Sequence, residues 1–593
     1  MTQGNLFSQE EPPISPLAES PESPEAAGPP EPEDAWRQLP SPPVGFGEKL
    51  GLPSLHALLL YNRGVRVPSD VASFLAVDER LVNDPWLMPH MDEAVELLQR
   101  VIADGGAVAV FGDFDVDGIS GTAVLCRTVT ELGGRPIPYI PNRMAEGHGL
   151  QPDAIEQLAA QGAKLLITVD TGTTAAPEVA FARSLGLEVI ITDHHVASDD
   201  IPDGVPILNP GLIPDVGEPY PYTGLTGAGV AFKLAQAACE RAGQPFPEHL
   251  LELAALGTVA DVAPLTGENR FIVGRGLQLL RKSGNIGINA IASCGDIDLS
   301  SLVARDLSFG LIPRLNAAGR LDDPSISLRL LTTEDQGEAA ELADRLEAMN
   351  NERRRITDKS VREAEEMVAE ASLQEEAAIV VSSPDWHLGV IGLIAGRLAE
   401  RHGKPAVAAK VADGNMRASS RGPEGINVVE AISATGLPFL RMGGHAQAAG
   451  FTLGEQHLAD FKRLFPARVA EMGSGLAADD TIEYDCELEL SAVNHPNFTF
   501  INSMAPFGRG NPAPKFMTRG VRVLDARTVG RGDGHLKLRL SGSGTDLEAI
   551  AFGLGPRLAE LGSAIDLVYT IDINEWGGRR RLELKVVDFR SAS

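Results

Sequence analysis

The sequence predicts a multidomain α/β protein that ends in a small β-barrel. From about residue 93 to 265, short apolar runs such as GAVAVFGD and AKLLITVD alternate with helical stretches. This alternation is typical of βαβ units around a parallel sheet that is buried on both faces. Residues 333–372 are highly charged and contain no proline, which predicts one long helix or two in tandem. From about 475, alternating residues and turn glycines predict a small barrel or sandwich.

The composition sets broad limits on the function. Residues 1–40 are dominated by proline, glutamate and serine, and we expect a disordered acidic tail there. The four cysteines are scattered without a CxxC pair, and no apolar run is long enough to span a bilayer, so a cytoplasmic protein without a membrane partner is expected. The net charge of −30 argues only weakly against a nucleic-acid partner, because a metal-dependent enzyme also needs carboxylates.

Acidic residues and imidazoles follow the predicted strands of the first α/β region. In an open parallel sheet, ligands bind at the carboxyl ends of the strands, so these residues are expected to converge although they lie far apart in sequence. A further acid ends the helical stretch LAALGTVAD. The residues concerned are Asp113, Asp115, Asp117, Asp170, Asp193, His194, His195 and Asp261.

Such a cluster is chemically suited to hard divalent cations. Crowded carboxylates repel one another, and oxygen ligands with one or two imidazoles fit Mn²⁺ or Mg²⁺ better than structural zinc. Two such ions can activate a water in a phosphoryl displacement. Taken singly, an aspartate after a strand is more often a helix cap, and DFDVDG alone could be a turn or a fragment of a calcium loop. The conjunction of all these elements in one domain favours a metal site.

Nine short motifs resemble a known family. GDFDVDG, VDTG, TDHH and GTVADVAPL resemble the DHH phosphoesterase superfamily. PNRMAEGHGL, GLIPRLNAAGRLDDP, WHLGVIGLIAGRL, GGHAQAAGF and PFGRGNPAPKF narrow the resemblance to the RecJ family of bacterial 5′-to-3′ single-stranded DNA exonucleases. The resemblance implies four units after the tail: a DHH catalytic domain at 41–330, a connecting helix at 331–373, a DHHA1-type substrate-binding domain at 374–465 and an OB-fold single-strand-binding domain at 466–593.

The resemblance also implies roles for the acidic cluster. Asp115 and Asp117 resemble ligands of two different metals, and Asp170 resembles the bridge between them. His194 and Asp261 would complete the second metal's ligands. Asp113 would lie beside the first metal, His195 would face the scissile phosphate or orient neighbouring residues, and Asp193 would fix an imidazole tautomer.

Further residues are implied as substrate contacts. Arginine binds phosphate oxygens bidentately, so a grip on a 5′-phosphate is expected from Arg143, Arg320, Ser419 and Arg421. For a single arginine, a surface or interdomain ion pair is an equal alternative. Other contacts to the substrate, or to the residues around it, are expected from Arg314, Asn316, His387 and His445.

The β-rich end is expected to bind the strand. OB-folds use basic grooves and stacking aromatics, which points to Phe507, Arg509, Lys537 and Arg539, although a merely solvated strand face is the alternative. The resemblance implies a single-strand-binding protein and a helicase as candidate partners. We expect a monomer.

Three functions remain open from the sequence. The first is a two-metal exonuclease that degrades single-stranded DNA from the 5′ end to 5′-mononucleotides in recombination and repair. The second is a phosphodiesterase for short oligonucleotides or cyclic dinucleotides, which would have no use for a strand-binding barrel. The third is a non-catalytic single-strand-binding replication factor, in which lost metal ligands would be expected.

Overall fold

Four sheets, three of five or six strands and one of two, organise the part of the chain that the computed structural model describes. The structure describes residues 36–142, 146–147, 149–197, 200–214, 217–245, 248–473, 481–576 and 579–592. Within these ranges, no helix combines the length and the apolar character needed to cross a membrane.

The N-terminal elements pack on the C-terminal barrel. They are β1 (Trp36–Gln38), α1 (Phe46–Leu50), α2 (Ser54–Tyr61) and α3 (Pro68–Ala76). β1 pairs with Ile482–Tyr484, and Trp36 Nε1 donates to Asp588 at 2.8 Å. Leu59 and Leu60 are fully buried in the barrel core. The predicted tail is therefore wrong for residues 36–38, which form a strand, while residues 1–35 lie outside the described residues.

This packing also corrects the predicted start of the catalytic domain at residue 41. Arg63 and Asp485 form an ion pair between the segment after α2 and the barrel, and both side chains are only 3% exposed. Apolar spacing shows that a helix has a buried face, but it does not show which sheet covers that face.

The first α/β domain has a parallel sheet in the order β3-β2-β4-β5-β6. All six residues of β2 are buried, as are all of β4 except Lys164, which explains why both strands read as continuous apolar runs. The elements are α4 (Met91–Ala103), β2 (Ala107–Gly112), α5 (Val116–Glu131), β3 (Arg135–Tyr139), α6 (Pro152–Ala160), β4 (Ala163–Val169), α7 (Ala176–Ser184), β5 (Glu188–Thr192) and β6 (Ile207–Leu208).

A helical layer completes this domain and leads to the next. Its helices are α8 (Gly227–Arg241), α9 (Leu251–Ala260), α10 (Gly267–Leu280), α11 (Ile286–Cys294), α12 (Ala304–Asp306), α13 (Ile312–Leu321), α14 (Ser325–Thr332) and α15 (Gln336–Glu370). The charged stretch forms a single 35-residue helix, α15, whose N-cap Asp335 accepts from the Glu338 N–H at 2.7 Å.

The second α/β domain has a five-stranded mixed sheet in the order β10-β11-β9-β8-β7, in which only β7 and β8 are parallel. Its elements are β7 (Ile379–Ser383), α16 (Ile391–His402), β8 (Ala406–Ala412), β9 (Asn415–Arg421), α17 (Val428–Ser433), β10 (Arg441–His445), β11 (Ala448–Gly454) and α18 (Leu458–Gly473). Because α18 continues to Gly473, this domain extends past the predicted boundary at 465.

The last domain is a closed barrel. Strands follow the order β13-β14-β15-β16-β18-β17, and an additional pairing of β14 with β17 closes the ring. This confirms the predicted OB-like barrel. Its elements are β12 (Ile482–Tyr484), β13 (Cys486–Glu487), α19 (His495–Ser503), β14 (Phe516–Val529), β15 (His535–Gly542), β16 (Thr545–Ala551), β17 (Ala564–Trp576) and β18 (Arg579–Ser591).

Candidate active site

The predicted acidic cluster forms at one edge of the parallel sheet. β4 lies between β2 and β5, so the residues that follow these three strands meet at their carboxyl ends. Candidate ligand atoms lie within 4.8 Å of one another in three groups. The groups are Asp113, Asp115 and Asp170; Asp117, His194 and Asp261; and Asp170, His194 and His195.

The DFDVDG loop is folded tightly so that its three aspartates face this edge. Asp115 is the N-cap of α5, and its Oδ1 accepts from the backbone N–H groups of Asp117 (2.9 Å) and Gly118 (3.3 Å). A Cβ at Gly118 would lie 2.5 Å from the Asp113 backbone, so only glycine fits there. Asn316 on α13 accepts from the Val116 N–H at 3.2 Å and thereby holds the loop from outside.

Asp117 is held by a second helix N-terminus that the sequence reasoning missed. Its carboxylate is 1% exposed and accepts from the N–H groups of Gly227 (2.7 Å) and Ala228 (3.0 Å), at the start of α8. The signal was TGAG at a helix start, where free N–H groups attract an anion. Burial, with the charges of Asp261 and Asp115, still raises the pKa of Asp117 to about 8.

Asp170 has the surroundings that a cation would stabilise. It adopts φ 60°, which aspartate tolerates, and is 4% exposed. Its Oδ1 lies 3.0 Å from His194 Nε2 but makes no hydrogen bond to any of the described residues. Burial and the neighbouring carboxylates, Asp117 first, hold the pKa of Asp170 well above its ordinary value. A buried carboxylate oxygen without a partner, among other carboxylates, fits a divalent metal.

Asp193 separates the two histidines into different electrostatic states. Burial opposes ionisation of Asp193, but the hydrogen bond from His195 Nδ1 (2.7 Å), the charge of His195 and the hydrogen bonds from Thr173 together lower the Asp193 pKa. The hydrogen bond between His195 and Asp193 also raises the pKa of His195 to about 9. Burial and the charge of His195 lower the pKa of His194 to about 4. A neutral imidazole can ligate a metal and a cationic one can meet a phosphate, which supports the roles predicted for the pair.

These pKa shifts predict the pH dependence of stability without metal. Asp117 and Asp170 have raised folded-state pKa values, so their contribution to stability falls as pH rises above their ordinary 3.8. The contribution of His195 is complete below its ordinary 6.5 and is lost as pH rises through about 9. We therefore expect the free energy of unfolding in chelator to fall from pH 6.5 to 9 in urea titrations. Mn²⁺ should reverse this slope, because metal binding favours deprotonated ligands; the same falling slope with and without Mn²⁺ would contradict the assignment.

The second α/β domain reaches the cluster from the opposite side. The His445 ring on β10 stacks on His195 with centroids 5.9 Å apart and an interplanar angle of 13°. The site therefore lies between the two α/β domains.

Three of the four predicted phosphate contacts gather at the start of α16. Arg421 Nη1 donates to Ser419 Oγ (3.0 Å) and to the Ser420 carbonyl (2.8 Å). A Cβ at Gly392 on α16 would lie 3.2 Å from both Ser419 Oγ and Arg421 Nη2. Arg320 Nη1 donates to the Gly389 carbonyl at 3.3 Å, just before this helix. Arg143 lies outside the described residues.

Two other predicted contacts serve the surrounding structure. Arg314 is 6% exposed, and its Nε donates to Glu347 on α15 at 2.5 Å, so an ion pair holds its guanidinium and its contact with substrate stays a prediction. His387 Nδ1 accepts from the Gly389 N–H at 3.1 Å and so shapes the turn before α16.

The four substrate contacts predicted for the barrel domain lie in different surroundings. Phe507 is half-buried and packs against the barrel core. Lys537 is neutralised by Glu548 (2.7 Å) and Glu583, which corrects its assignment to an open cationic face. Arg539 is exposed on β15. Arg509 lies beside the metal cluster instead, and its carbonyl accepts from the Leu265 N–H at 2.7 Å. Burial and the charge of Asp115 raise the pKa of Asp261 to about 6, and the charges of His195 and Arg509 partly oppose that rise.

Comparison with known proteins agrees with this architecture. Family profiles match the DHH family N-terminal domain at residues 107–258, the DHHA1 domain at 375–471 and the RecJ OB domain at 484–588. The chain is 34% identical to the single-stranded-DNA-specific exonuclease RecJ of Escherichia coli, over 90% of this chain and 95% of that protein. The chain belongs to the RecJ family. RecJ of Bacillus subtilis is also 34% identical, over 91% of this chain and 68% of that protein.

A solved RecJ structure has the same fold along most of the chain. The Mn²⁺ complex of RecJ from Thermus thermophilus matches with a TM-score of 0.80 and 32% identity, over 95% of this chain and 80% of that one. The Mg²⁺ complex from the same organism matches with a TM-score of 0.73. The predicted RecJ resemblance and fold class are thus confirmed.

Proposed function

We propose that this chain is a two-metal-dependent hydrolase that degrades single-stranded DNA from the 5′ end and releases 5′-mononucleotides. The observation that carries the proposal is the Asp170 carboxylate oxygen Oδ1, buried without a hydrogen-bond partner among the described residues, in the acidic cluster of a RecJ-family chain. RecJ relatives carry the name of a single-stranded-DNA-specific exonuclease, and solved RecJ structures hold Mn²⁺ or Mg²⁺.

Five residues would hold two divalent cations, Mn²⁺ or Mg²⁺. When bound, such ions supply an activated water and stabilise charge on the phosphate. The five are Asp115, Asp117, Asp170, His194 and Asp261, with Asp113 beside them.

The chain's own groups orient the phosphate. Asp193 fixes His195 through Nδ1, which leaves Nε2 of the cationic ring to donate to a phosphate oxygen. His445 stacks on that ring from the second domain and limits its rotation. Because the nucleophile is water, no covalent intermediate with the protein is needed.

The polarity of degradation follows from the phosphate socket. Arg320, Ser419 and Arg421 border the N-terminus of α16, where free backbone N–H groups also favour an anion. A 5′-terminal phosphate bound there would set how far the scissile bond lies from the metal cluster. Only the 5′ end of a strand would then place a phosphodiester correctly.

The barrel and the family suggest the cellular setting. Arg509 beside Asp261 and exposed Arg539 are the barrel-domain cations that we assign to the strand. The proposal extends to action in recombination and repair in the cytoplasm, as a monomer that works with a helicase and a single-strand-binding protein.

The two alternatives fit the site less well. A phosphodiesterase for dinucleotides would not need the closed barrel that matches the RecJ OB domain at 484–588. A non-catalytic binding protein would not need the carboxylates to converge within 4.8 Å.

The decisive experiment uses strands labelled at either end. With Mn²⁺, we expect a 5′-labelled single strand to release labelled mononucleotide at once, while a 3′-labelled strand shortens gradually and duplex DNA stays intact. Chelator should stop both reactions. Faster turnover of dinucleotides than of long strands would favour the phosphodiesterase, and binding without any cleavage would favour the non-catalytic factor.

A further inference from the structure

α9 ends at the active site in a helix-terminating turn that has an unexpected residue. The Val262 N–H bonds to the Val259 carbonyl (3.2 Å), and the Ala263 N–H bonds to the Thr258 carbonyl (3.3 Å). This pair of bonds is the Schellman motif, in which the residue after the cap is left-handed and is usually glycine. Here that residue is Val262, with φ 54°. A β-branched residue in this region is a genuine outlier.

Elsewhere the same domain builds this turn mostly with glycine, and with Asp296 (φ 52°) at the end of α11. The motif recurs at the ends of α5, α7 and α8, with the same pair of backbone hydrogen bonds in each case. The left-handed residues there are Gly133 (φ 81°), Gly186 (φ 81°) and Gly243 (φ 68°). The turn itself therefore does not require a side chain, so its geometry does not explain the valine at the end of α9.

Packing does not supply that reason. Val77 is also left-handed, with φ 50°, but its Cγ1 fills the space over α10, where a Cβ at Gly274 would approach it to 2.4 Å. Val262, by contrast, is 63% exposed. In proteins, strained backbone conformations that packing does not explain are concentrated at functional sites.

The location of Val262, next to a candidate metal ligand, indicates what its side chain contacts. The preceding residue, Asp261, contributes a candidate metal ligand within 4.8 Å of those of Asp117 and His194. The charge of Arg509 acts on the same carboxylate. We propose that Val262 is a positioning residue, whose isopropyl group packs against the sugar and base of the nucleotide whose phosphodiester is cleaved. This inference rests on the proposed function. An apolar contact of this kind holds the nucleotide in place without reading its sequence.

The test replaces Val262 by glycine. We expect kcat on a 5′-phosphorylated single-stranded oligonucleotide with Mn²⁺ to fall about tenfold, the loss typical of a missing small apolar contact. KM should change little, because the rest of the strand is bound elsewhere. The thermal midpoint should stay equal or rise, because glycine relieves the strain. Val262→Ile, which keeps the branched side chain, should keep kcat near the wild-type value.

Gly133→Val is the matched control. It introduces the same strain into the same motif at α5, where an added Cβ meets nothing within 4 Å. It should lower the thermal midpoint and leave kcat unchanged.

Two results would overturn the inference while the exonuclease itself stands. One is full kcat in Val262→Gly, and the other is a lower thermal midpoint in that variant, which would show that the side chain serves the fold. A wild-type protein inactive on single strands would instead refute the proposed function, and this inference with it.

Discussion

Replacement of Asp170 by asparagine should lower kcat on single-stranded DNA at least about 10³-fold, while strand binding stays near the wild-type level. Asp170 belongs to two of the three ligand groups, so one substitution affects both proposed metals. Asparagine keeps the shape and tolerates the left-handed backbone at φ 60°. A Cβ at Gly227 would lie 2.4 Å from Asp170 Cβ, so a side chain of the same size is needed to avoid repacking. Steady-state cleavage and gel-shift titration measure the two quantities.

The same variant should be more stable than wild type when metal is removed. The Asp170 carboxylate is buried, and its pKa is raised by burial and by the surrounding acids, so ionisation destabilises the metal-free fold. In chelator at pH 8, we expect Asp170→Asn to raise the free energy of unfolding by about 1 kcal/mol or more. The exposed Asp153 on α6 provides the control, since Asp153→Asn should change neither stability nor kcat. Near-normal cleavage by Asp170→Asn would refute the metal assignment, and lower stability in chelator would refute the electrostatic account.

The acidic cluster could be predicted because one rule places all its members. Asp113, Asp170 and Asp193 each follow an apolar strand, and parallel strands end at the same edge of a sheet. The continuous apolar runs identified the strands, since both faces of this sheet are covered. The order of the strands in the sheet, with β4 between β2 and β5, comes from the structure.

The sequence did not predict the contacts of side chains whose partners come from other parts of the chain. Arg314 and Arg421 were both predicted to contact substrate, but Arg314 pairs with Glu347, 33 residues away, and Arg421 borders α16. Lys537 is on a strand face as expected, yet two glutamates from other strands meet it. Alternation along a strand gives the face of a side chain but not the charge that lies opposite. The sequence also did not predict that backbone N–H groups bind Asp117, because this contact depends on where α8 begins.

Replacement of Arg421 by alanine should abolish the preference for a 5′-phosphate. The guanidinium is fixed by its bonds to Ser419 Oγ and the Ser420 carbonyl, on a strand paired on both sides. We expect kcat/KM on 5′-phosphorylated strands to fall about 100-fold, in line with the loss of charge-assisted bonds to a phosphate. Arg421→Lys should not restore it, because an ammonium lacks the planar fork.

The comparison of phosphorylated and 5′-hydroxyl strands makes this prediction specific. Arg421 would contact the terminal phosphate and not the scissile one, so Arg421→Ala should cleave 5′-hydroxyl strands at the wild-type rate, and the two substrates should become equivalent. Exposed Arg417, four residues earlier on β9 and hence on the same face, gives the matched control: Arg417→Ala should retain the phosphate preference. A 100-fold loss on both substrates would place Arg421 at the scissile phosphate instead. An unchanged ratio with unchanged rates would remove it from the site, and the polarity of degradation would then need a different origin from the socket at α16.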